Sequence, residues 1–448
     1  MTNHYDLIVI GSGSGGSIPA AKGQKAGWRV AMVDDRPYGG TCALRGCDPK
    51  KVLYGAAELQ GAHDRMRGHG INGETTIHWQ DLMAFKRTFT ELVPEKKEKG
   101  LNKQGIDTYH GKAVFINENQ LMVEGEVLEG SRILIASGAM PTPLSMQGEE
   151  YVTSSDAFLE MEQLPDTIVF VGGGYISFEF AHIAARAGSE VHIVHRGERP
   201  LKHFDADLVD LLVKASKEIG IHVHAEHTVT AIEQKQNRLI VQTQTNEKTV
   251  SFPADLVVHG AGRVPALDMD LEKGKVDRDK HGVQVNDYLQ SLTNPYVYAV
   301  GDAASTNGLP LTPVASMEGH IAASNIIKGN NKKVIYPPMP SVVFTVPKLA
   351  SVGMTEEEAR ASEKNIEVIH KQVADWFTYK RTNETHAAFK ILIDKDNDQI
   401  VGAHFISTEA DNLINHFTTA IQFQIPAKKL KQTMFAYPTT ASDIAHML

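Results

Sequence analysis

Two cysteines, Cys42 and Cys47, are the only thiols among 448 residues, and they stand five positions apart. A secreted scaffold would be richer in cysteine, and a zinc site would need more thiols or a nearby histidine cluster, so no metal is expected. In a reducing compartment a thiol pair this close points to redox exchange; the alternative is two unrelated buried thiols. A second kind of chemistry is written in glycines. Gly11, Gly13 and Gly16 have the G-x-G-x-x-G spacing, with Ser14 and Gly15 inside it, and Asp34 follows 34 − 11 = 23 positions later. Such glycines let the backbone approach a pyrophosphate at a helix N-terminus, and the acid can accept ribose hydroxyls.

The elements that must hold this loop are a strand over Tyr5–Ile10, a helix to about Ala26 and a strand over Arg29–Val33. The same unit recurs: an apolar run over Asp166–Val171, then Gly172, Gly174 and Ser177, a helix to about Ala187 and a strand over Val191–Val194. Counting 23 positions from Gly172 reaches His195, not an acid. Two such units imply two dinucleotides, one held and one exchanged; the alternative is a doubly wound domain whose glycines serve packing only.

Length and composition agree with several α/β domains. The chain is 42% hydrophobic and 22% charged, and 45 − 54 gives a net charge of −9. That balance argues against nucleic-acid or anionic-membrane binding. No apolar run approaches a membrane span, and Leu7–Ile10 is too short for a signal sequence, so a cytoplasmic protein is expected. Glu91–Gln104, rich in Lys and Glu, reads as a solvated helix face. The polar Gly329–Lys333 and the prolines of Tyr336–Pro340 mark a boundary. Beyond it, strands are expected over Ser341–Thr345, Phe389–Ile393 and Ile400–His404, with an amphipathic helix over Ala410–Gln424. This tail lacks a phosphate loop and reads as a packing or assembly domain.

The segment from Gly39 to Lys50, GGTCALRGCDPK, changes the scale of the argument. It resembles the redox-active helix of the class I flavoprotein disulfide reductases, the family of glutathione reductase, dihydrolipoamide dehydrogenase and mercuric reductase. Further segments match in order: Ile135–Ala139 (with Ser137 and Gly138), Gly262–Pro265 (with Arg263), Val297–Asp302 (with Gly301), Leu311–Ala315 and Pro340–Thr345. The resemblance implies two Rossmann-like dinucleotide-binding domains and an α+β C-terminal dimerisation domain. The expected division is an FAD domain over 1–145, a nicotinamide domain over 146–265, the returning FAD domain over 266–332 and a dimerisation domain over 333–448. It implies FAD, held by the first glycine loop, Asp34, Gly40, Thr41, Lys50, the two crossovers and Asp302. It also makes Cys47 the thiol beside the flavin and Cys42 the one that meets the acceptor. Lys50 would sit near the flavin with Glu179 as its charge partner, although a purely structural ion pair is the alternative.

Gly172, Gly174, Tyr175 and Ile176 would hold the nicotinamide nucleotide. His195, Arg196 and Arg199, where an NADH site carries an acid, favour NADPH; two surface arginines on a loop are the alternative. The family's C-terminal H-P-T-x-S-E, which the partner subunit supplies, is replaced by Tyr437-Pro438-Thr439-Thr440-Ala441-Ser442-Asp443. The acid–base histidine is therefore a tyrosine, and the acid comes one position late. Mercuric reductases also carry a tyrosine here, together with C-terminal cysteines absent from this sequence. Ala21 and Lys97 stand where glutathione-contacting residues are expected, and Asp48 stands where an aliphatic residue is usual. His416 or His446 could supply the missing base, though packing roles are the simpler reading. The expected enzyme is a homodimer that passes electrons from NADPH through FAD and Cys42–Cys47 to a small disulfide. Alternatives are a reductase of quinones, metal ions or oxygen, a dihydrolipoamide dehydrogenase-like enzyme, and a non-enzymatic redox switch or scaffold.

Overall fold

The computed structural model describes residues 2–448. Its contacts divide the chain into two units. One comprises the chain through Lys50, Phe85–Thr142 and Gly262–Tyr336; the other comprises Lys51–Ala84, Pro143–Ala261 and Pro337–Leu448.

In the first unit, strand Leu7–Ile10 has every side chain buried, the pattern of a central parallel strand covered on both faces. The sheet runs Val297–Ala299, Ile133–Ile135, Leu7–Ile10, Val30–Asp34, Ile106–His110, all parallel. Strand order reverses between Ile133–Ile135 and Leu7–Ile10, and helix Ser14–Lys25 starts just beyond that point. A reversal of this kind opens the crevice in which α/β sheets bind ligands. The strand expected over Tyr5–Ile10 is two strands. Asp6 breaks the run by accepting the Arg29 backbone N–H at 2.8 Å, and Thr2–Tyr5 pairs instead with Glu126–Gly130 in a separate four-stranded sheet.

Two short strands, Ala139–Pro141 and Arg263–Pro265, pair antiparallel. The Thr142 N–H donates to the Gly262 carbonyl at 3.1 Å. The chain therefore leaves this unit and returns to it side by side. The expected solvated helix over Glu91–Gln104 is Val93–Lys103; it buries Leu101 and half-buries Lys97, so its face is only partly solvated.

In the second unit, a parallel sheet runs Val152–Thr153, Leu256–His259, Thr167–Val171, Glu190–Val194, Ile221–His224. An antiparallel sheet of five strands follows in the order Ser341–Val343, Lys348–Gly353, Gln399–Ser407, Ala388–Asp394, Ile366–Gln372. Helix Ala410–Gln422 buries Leu413, Ile414, Phe417 and Ala420, one stripe at helical spacing, in the core of that antiparallel sheet. The buried Lys390 ammonium bonds Asp205 at 2.9 Å and Asp207 and Glu356 at 2.6 Å, an arrangement no motif announces. No helix among the described residues is long and apolar enough to cross a membrane.

Candidate active site

The glycine loop after Leu7–Ile10 has no room for side chains. A Cβ on Gly11 would lie 2.3 Å from the Ala136 carbonyl oxygen, and one on Gly16 would lie 2.1 Å from that of Gly11. Gly13 caps the helix that starts at Ser14, so free backbone N–H groups face the loop. Asp34 ends the next strand. One of its oxygens accepts the Ser12 N–H at 2.8 Å and the Ser12 hydroxyl at 2.6 Å, and the other accepts the Arg36 N–H at 3.0 Å. An ionised carboxylate can accept about four hydrogen bonds, so capacity for about one more donor remains. Ser12 also takes the Gly39 N–H at 2.9 Å, which ties the loop to the redox segment. The G-S-G order holds this clue, but Ser12 lies between the glycines and is easily passed over.

Gly40 has φ of 75°, and a Cβ there would lie 2.4 Å from the Gly13 Cα. Only glycine permits both that backbone and that approach. Helix Gly40–Arg45, which carries Thr41 and Cys42, is thereby seated on the phosphate loop. Gly46 interrupts the helix, and Cys47 opens the next, Cys47–Met66. Both cysteines are free thiols; Cys42 is half-buried and Cys47 exposed. The Cys42 thiol donates to Cys47, which chiefly lowers Cys47 to about 6, helped by Thr312 and by the charge of Lys50 one turn on. Cys42 is pushed up, first by that same hydrogen bond and then by burial. The Thr312 hydroxyl lies 3.5 Å from the Cys47 sulfur, at the start of helix Thr312–Lys328. The pair thus holds one proton and one negative charge, with the charge on Cys47.

The crossovers add a polar wall. The Ser137 hydroxyl donates to the Ala266 carbonyl at 2.7 Å, and the Ala266 N–H returns to the Gly138 carbonyl at 2.9 Å. Arg263 donates to the Ala139 carbonyl and bears on Asp302. Burial pushes the Asp302 carboxyl up against the opposing pull of Arg263. Glu318, absent from the sequence reading, fastens this turn. It accepts the Gly301 N–H at 2.6 Å, the Thr306 hydroxyl at 3.0 Å and the Tyr336 hydroxyl. An acid followed by glycine inside an otherwise apolar helix is the signal for it.

In the second unit, Gly174 caps helix Tyr175–Arg186, and a Cβ on Gly172 would lie 2.4 Å from the Gly260 carbonyl oxygen. Tyr175 is exposed and Ile176 half-buried. Glu179 is buried, and its carboxylate accepts the Phe344 N–H at 2.8 Å. The three residues His195, Arg196 and Arg199 differ in what they leave available to a nucleotide. His195 donates to the Arg199 carbonyl at 3.0 Å, and burial lowers its pKa, so its ring is neutral. Arg199 is held by Asp210 at 3.2 Å. Arg196 is exposed and has no hydrogen bond or ion pair among the described residues.

Tyr437 is 81% exposed. Asp443 does not orient it. One Asp443 oxygen is buried without a partner, burial pushes the carboxyl up, and Thr378 and His446 are the groups that bear on it. His416 packs its ring on Phe435 and His446 on Trp376, which are packing roles. Lys97 is half-buried, and burial lowers its ammonium. Ala21 carries no group that could bind a carboxylate.

Residues 5–319 match the family of pyridine nucleotide-disulphide oxidoreductases, and residues 339–448 match the dimerisation domain of the same family. The chain belongs to that family. It is 31% identical over 442 residues to a glutathione reductase of Burkholderia cepacia, covering 98% of this chain and 97% of that one. It is 32% identical over 452 residues to a mercuric reductase of Bacillus cereus, covering 98% and 70%. An uncharacterized 19.7 kDa protein in a mercuric resistance operon of Staphylococcus aureus is 69% identical over 180 residues, its whole length and 40% of this chain. Among solved structures, the HOCl-induced flavoprotein disulfide reductase RclA of Escherichia coli superposes with a TM-score of 0.87 at 26% identity, covering 99% of both chains. The chain is accordingly an FAD-dependent NAD(P)H disulfide oxidoreductase. The glycine cradle, the remaining capacity of Asp34 and the Asp302 carboxyl that burial pushes up fit a flavin adenine dinucleotide, and the Gly172–Gly174 turn fits a pyridine nucleotide.

Proposed function

We propose that this enzyme is a cytoplasmic homodimer that oxidises NADPH and reduces a small disulfide through Cys42 and Cys47. The observation that carries the reading is the Cys42–Cys47 pair seated on the phosphate loop, with the Thr312 hydroxyl 3.5 Å from the Cys47 sulfur and the hydrogen bond from Cys42 holding that thiol low. When bound, FAD would supply two-electron redox chemistry between the nicotinamide nucleotide and the Cys42–Cys47 disulfide. Cys42 then attacks one acceptor sulfur, and its proton passes to the other sulfur, which leaves as a thiol. The Cys47 thiolate attacks Cys42 in turn, which re-forms the internal disulfide and frees the second half as a thiolate. Lys50 and Thr312 hold the charge on Cys47 through this cycle. Gly11, Gly13, Ser14, Gly15, Gly16, Asp34, Gly40, Thr41, Ser137, Gly138, Arg263, Gly301 and Asp302 bind the flavin nucleotide. Gly172, Gly174, Tyr175 and Ile176 bind the nicotinamide nucleotide. Arg196 supplies the preference for a 2′-phosphate, with Arg199 secondary and His195 fixing the loop through its hydrogen bond to the Arg199 carbonyl. The C-terminal domain pairs subunits, so that Tyr437 of one faces Cys42 of the other.

A second reading has a specific basis. Tyr437 replaces a base, relatives include mercuric reductases and a protein of a mercuric resistance operon, and RclA has been solved as a Cu(II) complex. The acceptor would then be a thiophilic metal ion. The test is anaerobic NADPH oxidation with small disulfides, quinones, Hg(II), Cu(II) and, separately, oxygen. The first reading expects a disulfide to give the highest kcat/KM and both Cys42→Ser and Cys47→Ser to lose it. Turnover of every acceptor by both variants would refute it.

A further inference from the structure

We infer that Asp48 sets the charge of the acceptor: its carboxylate, beside the redox pair, selects cationic or neutral acceptors over anionic ones. The inference deepens the proposed disulfide or metal-ion reduction and rests on that reading. Asp48 follows Cys47 directly, in the first turn of helix Cys47–Met66. It is exposed and makes no hydrogen bond or ion pair among the described residues. Its position is therefore not explained by a partner. An acid in a first helical turn is favourable to the helix, and that alone is the plainer account.

The arrangement around the sulfurs argues for more. Lys50, the nearby cation, is buried, whereas Asp48 stands in solvent next to the exposed Cys47. Outside the thiol pair, the charge that bears most on Cys42 is that of Asp48, and it also bears on Cys47. Of the charged side chains that bear on the two thiols, the one in solvent is thus negative. An approaching anion meets like charge, and a cation meets the opposite. Glutathione disulfide has more carboxylates than ammonium groups, and neither Ala21 nor the half-buried Lys97 offers it an exposed cation. Cystamine, a dication, and metal cations approach with the field.

The test uses the NADPH-reduced FAD holoenzyme and two methanethiosulfonates of similar size, one ending in a trimethylammonium and one in a sulfonate. A cysteine thiolate attacks the sulfenyl sulfur, forms a mixed disulfide and releases methanesulfinate. Rates are read by mass spectrometry and normalised to those of 2-mercaptoethanol. Partly screened unit charges at short range alter a rate about threefold, with opposite sign for the two reagents, so the cation should lead by about tenfold at low salt. Asp48→Asn should bring the ratio to about one, and Asp48→Glu should keep it. A general change in thiolate content accelerates both reagents and cancels in the ratio, so a merely helix-stabilising Asp48 leaves the ratio unmoved. An equal ratio in wild type and Asp48→Asn would overturn the inference. Cystamine turnover should exceed that of glutathione disulfide, and Asp48→Asn should reverse or erase the difference. If no disulfide is turned over while the labelling ratio still depends on Asp48, the functional reading fails and the role of Asp48 stands.

Discussion

Replacing Cys42 tests the electrostatics of the pair. Cys47 is lowered from 9.0 to about 6, and its first cause is the hydrogen bond donated by Cys42. At pH 7 a value of about 6 leaves one unit of difference, or about ten thiolates per thiol. Cys42→Ala removes the donor and keeps Lys50 and Thr312, so the midpoint should climb most of the way back. At a value near ~8.5, about 3% of Cys47 would be thiolate at pH 7, a loss of roughly thirtyfold. Cys42→Ser keeps an O–H donor and should fall between the two. The assay is the long-wavelength thiolate–flavin absorption of the reduced holoenzyme, titrated anaerobically from pH 5 to pH 9. Wild type should show a midpoint near 6, Cys42→Ser an intermediate one and Cys42→Ala the highest. Identical midpoints in all three proteins would show that the proton is not shared as described, and a band that survives Cys47→Ser would assign the charge to the wrong sulfur.

Arg196→Ala should raise KM for NADPH by roughly 10- to 100-fold with little change for NADH, because one charge-assisted phosphate bond is lost. Arg199→Ala should cost less, since Asp210 already holds that guanidinium at 3.2 Å; equal use of both cofactors by wild type would refute the preference. Tyr437→Phe should cost disulfide turnover little, whereas Tyr437→His should raise it by about tenfold or more and add a pH optimum near neutrality; no gain in the histidine variant would place the acid–base group elsewhere. His224 is lowered to about 4, first by burial and then by His192, His227 and His222. Its neutral form is the one that folds, so stability present above about 6.5 should be lost as pH falls toward 4, and His224→Gln should shrink that fall in Tm.

The parts of the fold most legible in the sequence are those where sterics leave one solution. Gly11, Gly16 and Gly172 sit where a Cβ would meet a carbonyl oxygen, so the glycine spacing alone places both nucleotide loops. The redox segment is legible for a related reason: Gly40 must touch Gly13 if Cys42 is to lie on the phosphate loop. What stays hidden depends on partners distant in sequence. Asp6 reads as part of one strand until the Arg29 N–H is seen to claim it. His195 reads as a possible phosphate contact until the Arg199 carbonyl is seen to take its N–H, and Arg199 reads as free until Asp210 is found. Glu318 carries no motif, yet three donors converge on it. Helix Cys47–Met66 begins in one unit and ends in the other, which no composition change announces.

The central claim is that electrons rest on Cys42 and Cys47 on their way to the acceptor. Anaerobic titration of the FAD holoenzyme with NADPH, counted against the Cys42→Ser/Cys47→Ser double variant, tests it most directly. Wild type should take up more than two electrons per subunit, the flavin and the disulfide each accepting a pair, and the double variant should stop at two. Equal uptake by the two proteins would contradict the account.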